Sequence, residues 1–134
     1  MRLALVSSLG LSLTLASCAA TPATGGPAVF NGQASAGLNQ TAVIGDVRIR
    51  PLELLQDSRC PADVDCVWAG RLVVRVEVQS PYFPPRTELM ELGRGIALED
   101  ARSLTITATE PDQLSGVAIQ PSDYRLTFTL GPGD

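Results

Sequence analysis

The residues best able to do chemistry crowd into one stretch, Asp57-Ser58-Arg59-Cys60-Pro61-Ala62-Asp63-Val64-Asp65-Cys66-Val67-Trp68-Ala69-Gly70. It holds two of the three cysteines, the single tryptophan and three aspartates. A metal site is the first chemistry such a set suggests. Two cysteines with five residues between them do not make the Cys-x-x-Cys half of a zinc knuckle. Asp57, Asp63 and Asp65 lack the alternating order and glycine of a calcium loop, so no metal or other cofactor is assigned. The same spacing differs from the Cys-x-x-Cys of thiol redox enzymes. What remains is a structural crosslink, Cys60 to Cys66, in a chain bound for an oxidising compartment. On the loop-entropy account so small a ring adds roughly 2 kcal/mol, which shapes a loop more than it holds a fold.

The other residues of this stretch take their expected roles from that crosslink. Arg59 is expected to pair with Asp57 or to donate to loop carbonyls, because an irregular backbone cannot satisfy all its own polar groups. Trp68 is expected to cap one end of the core beside the disulfide, with an exposed anchor for a ligand or partner as the alternative. Asp63 and Asp65 are expected to face solvent or cap turns. Asp57, Arg59, Asp63, Asp65 and Trp68 together form a candidate interaction loop.

What the chain lacks narrows the chemistry further. It contains no histidine, and all ten basic residues are arginine. Without histidine the usual general base and the Ser-His and Cys-His nucleophile pairs are missing; without lysine, Schiff-base chemistry and Ser-Lys dyads are missing too. Arginine stays protonated and serves poorly as a base. Catalysis would have to rest on carboxylates acting with Tyr or Ser, so no catalytic residue is assigned.

The first residues speak of compartment. Met1-Arg2 precedes an apolar run from Leu3 to Ala16 that is too short to span a bilayer, the pattern of a cleaved signal. Leu15-Ala16-Ser17-Cys18 resembles the lipobox of bacterial lipoproteins. That resemblance implies cleavage after residue 17 and a diacylglycerol on the thiol of Cys18, which would hold the protein on a membrane; an ordinary secretory cut near Ala19 or Ala20 would leave no anchor. Ala19 is not the aspartate that marks inner-membrane retention in this class, so in a Gram-negative host the periplasmic face of the outer membrane is favoured. Residues 18–31 are small and rich in Pro and Gly, and read as a flexible tether. Residues 32–134 then suffice for one domain with one core. Net charge is −4 with no basic cluster, which argues against a nucleic-acid partner.

Beyond the tether the periodicity is that of strands. Residues 33–38 alternate weakly, as a first edge strand would. Val47, Ile49, Leu52 and Leu54 oppose Arg48 and Arg50, with Pro51 demanding an edge or a bulge. Leu72, Val74, Val76 and Val78 give the cleanest period of two. Pro81, Pro84 and Pro85 predict an irregular connection, and residues 86–92 a short strand or a helical turn. Gly93-Arg94-Gly95 predicts a turn. Leu104, Ile106 and Ala108 alternate with threonines, residues 110–123 form a long loop, and Tyr124, Leu126, Phe128 and Leu130 form a last inward row. Tyr124 could make a hydrogen-bonded corner or simply pack in the core. The fold expected is all-β: a small single-domain β-sandwich of five to seven strands with one disulfide-tied loop, immunoglobulin-like connectivity being one arrangement.

Asp57-Ser58-Arg59-Cys60-Pro61 followed by Cys66-Val67-Trp68-Ala69-Gly70 resembles the signature of a group of uncharacterised small exported bacterial proteins, many of them lipoproteins. The resemblance implies an all-β envelope domain with a disulfide loop and brings no activity or cofactor with it. The expected function is therefore a membrane-anchored, non-enzymatic binding module for an envelope protein or glycan. The alternatives are a carboxylate-dependent cell-wall hydrolase or lyase, and a small-ligand carrier.

Overall fold

A computed structural model describes residues 32–133; the signal segment, Cys18 and the tether lie outside the described residues. Eight strands are present: β1 (Gly32–Gly37), β2 (Ala42–Ile44), β3 (Val47–Asp57), β4 (Leu72–Ser80), β5 (Phe83–Glu91), β6 (Gly95–Ala97), β7 (Arg102–Glu110) and β8 (Arg125–Pro132). A 3-10 turn, Pro121–Asp123, precedes β8. β2 and β6 go beyond the five to seven strands expected. Each is three residues long, too short for a period to register.

The strands form two antiparallel four-stranded sheets, in the orders β1-β8-β7-β6 and β2-β3-β4-β5. Consecutive strands are neighbours almost throughout, and β1 closes against β8. This is a meander, and it differs from immunoglobulin connectivity, in which the two sheets draw strands from interleaved parts of the chain. The inward rows of both sheets meet in one core: Val47 and Ile49 from β3, Leu72, Val74, Val76 and Val78 from β4, Leu104 and Ile106 from β7, and Leu126, Phe128 and Leu130 from β8. Every one of these side chains is buried because strict alternation puts it on the face away from water.

Three local departures have physical reasons. Pro51 lies in β3 beyond the last residue paired with β2, so its missing N–H costs no ladder bond on that side, and its carbonyl accepts from Asn39 N at 2.6 Å. The β3–β4 register shifts just after it, the bulge that proline demanded. Pro84 and Pro85 do not break the chain as expected. Only Pro81-Tyr82 turns it, between the paired Ser80 and Phe83, and both later prolines sit inside β5, which is the edge of its sheet. Ala108 is exposed rather than inward, because a bulge between Ile106 and Ala108 shifts the second half of β7 by one residue.

The registers sort the connections between two ends. At one end lie the tight turns at Gly45-Asp46 and Pro81-Tyr82, the 98–101 turn, and Gly32, where β1 begins. The opposite end carries the long excursions 58–71 and 111–124, between β3 and β4 and between β7 and β8.

Candidate functional site

The cysteine loop begins as an extension of the β3–β4 ladder. Ser58 N donates to Arg71 O at 2.8 Å and Cys60 N to Ala69 O at 3.1 Å, carrying the chain past the last core residue before it turns. Gly70 returns it with φ 72°, and a Cβ there would lie 1.8 Å from Ser58 O, so only glycine permits this closure. Within it Cys60 and Cys66 are joined as a disulfide, with Cα atoms 5.9 Å apart.

Under the loop sits a clamp of three side chains. Arg59 donates Nε to Asp57 Oδ1 at 2.9 Å and an Nη to Oδ2 at 2.7 Å, while its backbone N–H reaches Oδ1 at 3.2 Å. Tyr124, buried just before β8, donates its hydroxyl to Asp57 Oδ2 at 2.7 Å. Both charged side chains are largely withdrawn from water, at 7% exposure for Asp57 and 13% for Arg59. Burial pushes the Asp57 carboxyl up, but the donors on Arg59 and Tyr124 outweigh it and hold the group below the ordinary carboxylate value. Burial and the Asp57 acceptor together raise the Tyr124 phenol to about 12. The tyrosine thus packs in the core and also makes a hydrogen bond, to a side chain.

A second loop is fastened to the first. Arg59 donates to Pro111 O at 3.3 Å, and Ala62 N to Gln113 O at 2.8 Å. Asp63 accepts from Ser115 N at 2.8 Å and from the Ser115 hydroxyl, donors that hold its carboxyl below the usual range. Asp63 therefore binds the neighbouring loop while it faces solvent. Asp65 is exposed.

Trp68 departs most from expectation. It does not cap the core: it is 81% exposed, and Val67 beside it is 87% exposed. The reason lies in the ladder extension, which carries the chain beyond the core, so that among the described residues the clamp and the second loop lie against the loop but leave Val67 and Trp68 exposed. Tyr124 and partly buried Leu38 and Ile119 pack on the core instead. Val64 on the first loop and Leu114 and Val117 on the second are also exposed. Two loops tied by backbone, carboxylate and guanidinium bonds thus form a tip that exposes Val64, Val67 and Trp68 on one and Leu114 and Val117 on the other.

Of the residues singled out in the sequence, Cys60, Cys66, Asp57, Arg59 and Asp63 come together in one fastened unit, and Trp68 and Asp65 stand on its outside. Ser115, Gln113, Leu114 and Val117 escaped the sequence reading, since a polar loop with two prolines carries no sign of its docking partner. Among the described residues no group of His, Cys, Asp and Glu is disposed to hold a metal ion. Comparison with known proteins gives no match to any family model, curated protein or solved structure.

Proposed function

We propose that this chain is a membrane-anchored envelope lipoprotein whose domain is a non-enzymatic binding module, with the two-loop tip as its contact surface. The observation that carries the reading is the exposure of Val67 and Trp68 on a loop that is crosslinked, clamped and bonded to its neighbour. An exposed tryptophan on a floppy loop would lose much of its binding energy to ordering, whereas here that ordering is already done. Buried aromatic anchors ringed by near-neutral contacts are what dominate protein interfaces.

The anchor reading supplies a direction. Cys18 would carry the lipid, and residues 18–31 would reach roughly 20 Å as a flexible coil. They join the domain at Gly32, at the end with the tight turns, so the tip faces away from the point of attachment. In a Gram-negative host this would suit a protein on the periplasmic face of the outer membrane that meets an envelope protein or glycan.

The alternatives find less support. A carboxylate hydrolase or lyase needs an acid whose pKa is raised, yet Asp57, Asp63, Glu91 and Asp100 are all pulled down by arginine or Ser115 donors. A carrier needs an internal space, whereas the inward rows of both sheets pack against one another.

The test is in-cell photo-crosslinking of the full-length chain, with the photoreactive residue at Val67 and, as a control, at exposed Thr87 on the outer face of β5. A defined adduct from Val67 alone is expected. Equal labelling from both positions, or turnover of cell-wall glycan by the purified protein, would overturn the reading. Cys18→Ser should release the chain from membranes.

A further inference from the structure

The charges around the tip are distributed in a way that specifies what it meets. Between residues 60 and 70 the chain carries Asp63 and Asp65, and between 110 and 124 it carries Glu110, Asp112 and Asp123; neither stretch contains an arginine or a lysine. Three arginines flank these stretches: Arg59 is turned beneath the loops, with its guanidinium shared between Asp57 and Pro111 O, and exposed Arg125 stands opposite Glu110 in the β7–β8 ladder, at the base of the second loop. Arg71, at the foot of the loop, is paired with Glu91 at 2.9 Å. The two loops therefore expose Val64, Val67, Trp68, Leu114 and Val117 together with the carboxylates of Asp63, Asp65 and Asp112, and neither stretch itself carries a cation.

We infer that the tip's partner is a protein offering an apolar pocket ringed by arginine or lysine. The inference rests on the binding-module reading and narrows it. Bacterial bilayers and peptidoglycan are anionic, and loops bearing Asp63, Asp65 and Asp112 are repelled by such surfaces. Loops that enter a bilayer interface surround their tryptophan with cations, the opposite arrangement. Glycans stack on aromatic faces and hydrogen-bond to polar groups, and four exposed aliphatic side chains give them little. A basic-rimmed pocket satisfies both halves of the surface: the indole and valines fill it while the rim meets Asp65 and Asp112, which steers approach and fixes orientation.

Asp65 and Asp112 are exposed, and neither is used by the clamp or by the bond between the loops, so their charges can be reversed without touching what holds the tip. The experiment carries the photoreactive residue at Val67 of the full-length chain in living cells of its native host, in the parent and in Asp65→Lys/Asp112→Lys, and maps the adduct by mass spectrometry. The expected result is a protein adduct at a peptide flanked by Arg or Lys, with its yield reduced at least tenfold by the double reversal. Neutral Asp65→Asn/Asp112→Asn should reduce it less. An unchanged yield on reversal, a crosslinked peptide without basic neighbours, or an adduct to phospholipid or glycan would overturn the inference while leaving a binding tip in place. No adduct from Val67 at all would remove both. Thermal unfolding of each variant should match the parent, which separates loss of contact from loss of fold.

Discussion

At each end of the sandwich an arginine grips the aspartate two residues before it, and the two grips hold opposite things. Asp57-Ser58-Arg59 and Asp100-Ala101-Arg102 share the same local device: the arginine backbone N–H and its Nε and Nη all donate to one carboxylate. Arg102 closes a short turn, in which Leu98 N donates to Arg102 O at 2.7 Å, and it also reaches Asp46 at 2.8 Å in the neighbouring turn. Arg59 stands under a long excursion and reaches a second loop. One clamp shortens its end of the molecule, and the other supports a projection that the core does not need. A device for satisfying irregular backbone therefore says nothing of purpose until its surroundings are known.

The first way to break the comparison is to remove each carboxylate. Asp57→Ala strands a largely buried guanidinium and leaves the Tyr124 hydroxyl without its acceptor, so a loss of about 3 kcal/mol is expected from urea unfolding. Asp100→Ala leaves Arg102 with Asp46 still in place, and should cost about half as much. Equal losses would mean the two clamps are energetically the same. The acid limb follows in sign. Both carboxyls have folded-state values below their unfolded ones, so their contribution is present above about pH 4 and fades as pH falls through the lowered values. That fade should be shallower in either alanine variant.

Replacing both loop cysteines, Cys60→Ser with Cys66→Ser, comes next. A ring of this size contributes roughly 2 kcal/mol on the loop-entropy account. If the disulfide serves the projection, the faster amide exchange should be confined to residues 60–69 and to Gln113 and Ser115, with the 98–101 turn unchanged. Exchange rising evenly at both ends would contradict that division.

Tyr124→Phe sharpens the comparison at smaller cost, since it removes one buried hydroxyl from the Asp57 clamp and touches nothing in the Asp100 clamp. Loss of a hydrogen bond to a charged group is expected to cost about 1.5 kcal/mol. The phenol is raised to about 12 in the folded chain against about 10 when unfolded. Its contribution is therefore complete below pH 10 and is lost as pH climbs toward 12. The parent should destabilise across that window, and Tyr124→Phe should lack that component of the slope.

How much of this could be read in the sequence depended on whether a residue's fate was set by its neighbours in the chain. Leu72 to Val78 and Leu126 to Leu130 alternate because one face is buried, and their strands were legible in full. The Asp57–Arg59 pair and the Cys60–Cys66 bond join residues close in sequence, and were legible for the same reason. Ala108 was misplaced because a bulge flips the facing without changing the residue types, and Pro84 and Pro85 because a proline does not declare that its strand is an edge. The bond from Asp63 to Ser115 spans 52 residues and follows from the fold alone.

Trp68 was misjudged for a different reason, and it supplies the smallest expected effect on stability. A lone tryptophan beside a disulfide is ordinarily read as core, because its large apolar area favours burial. Here the ladder from Ser58 to Arg71 runs past the core, so that among the described residues nothing buries the indole. Trp68→Ala should therefore change unfolding free energy by less than about 0.5 kcal/mol, the range of an exposed site. Against that small change, the yield of the Val67 photo-adduct should fall by tenfold or more. A stability loss near 3 kcal/mol would return Trp68 to the core and remove the contrast between an end that is closed and an end that projects. Unchanged stability with an unchanged adduct would keep the contrast but take the indole out of the contact, leaving Val67 and the second loop to carry it.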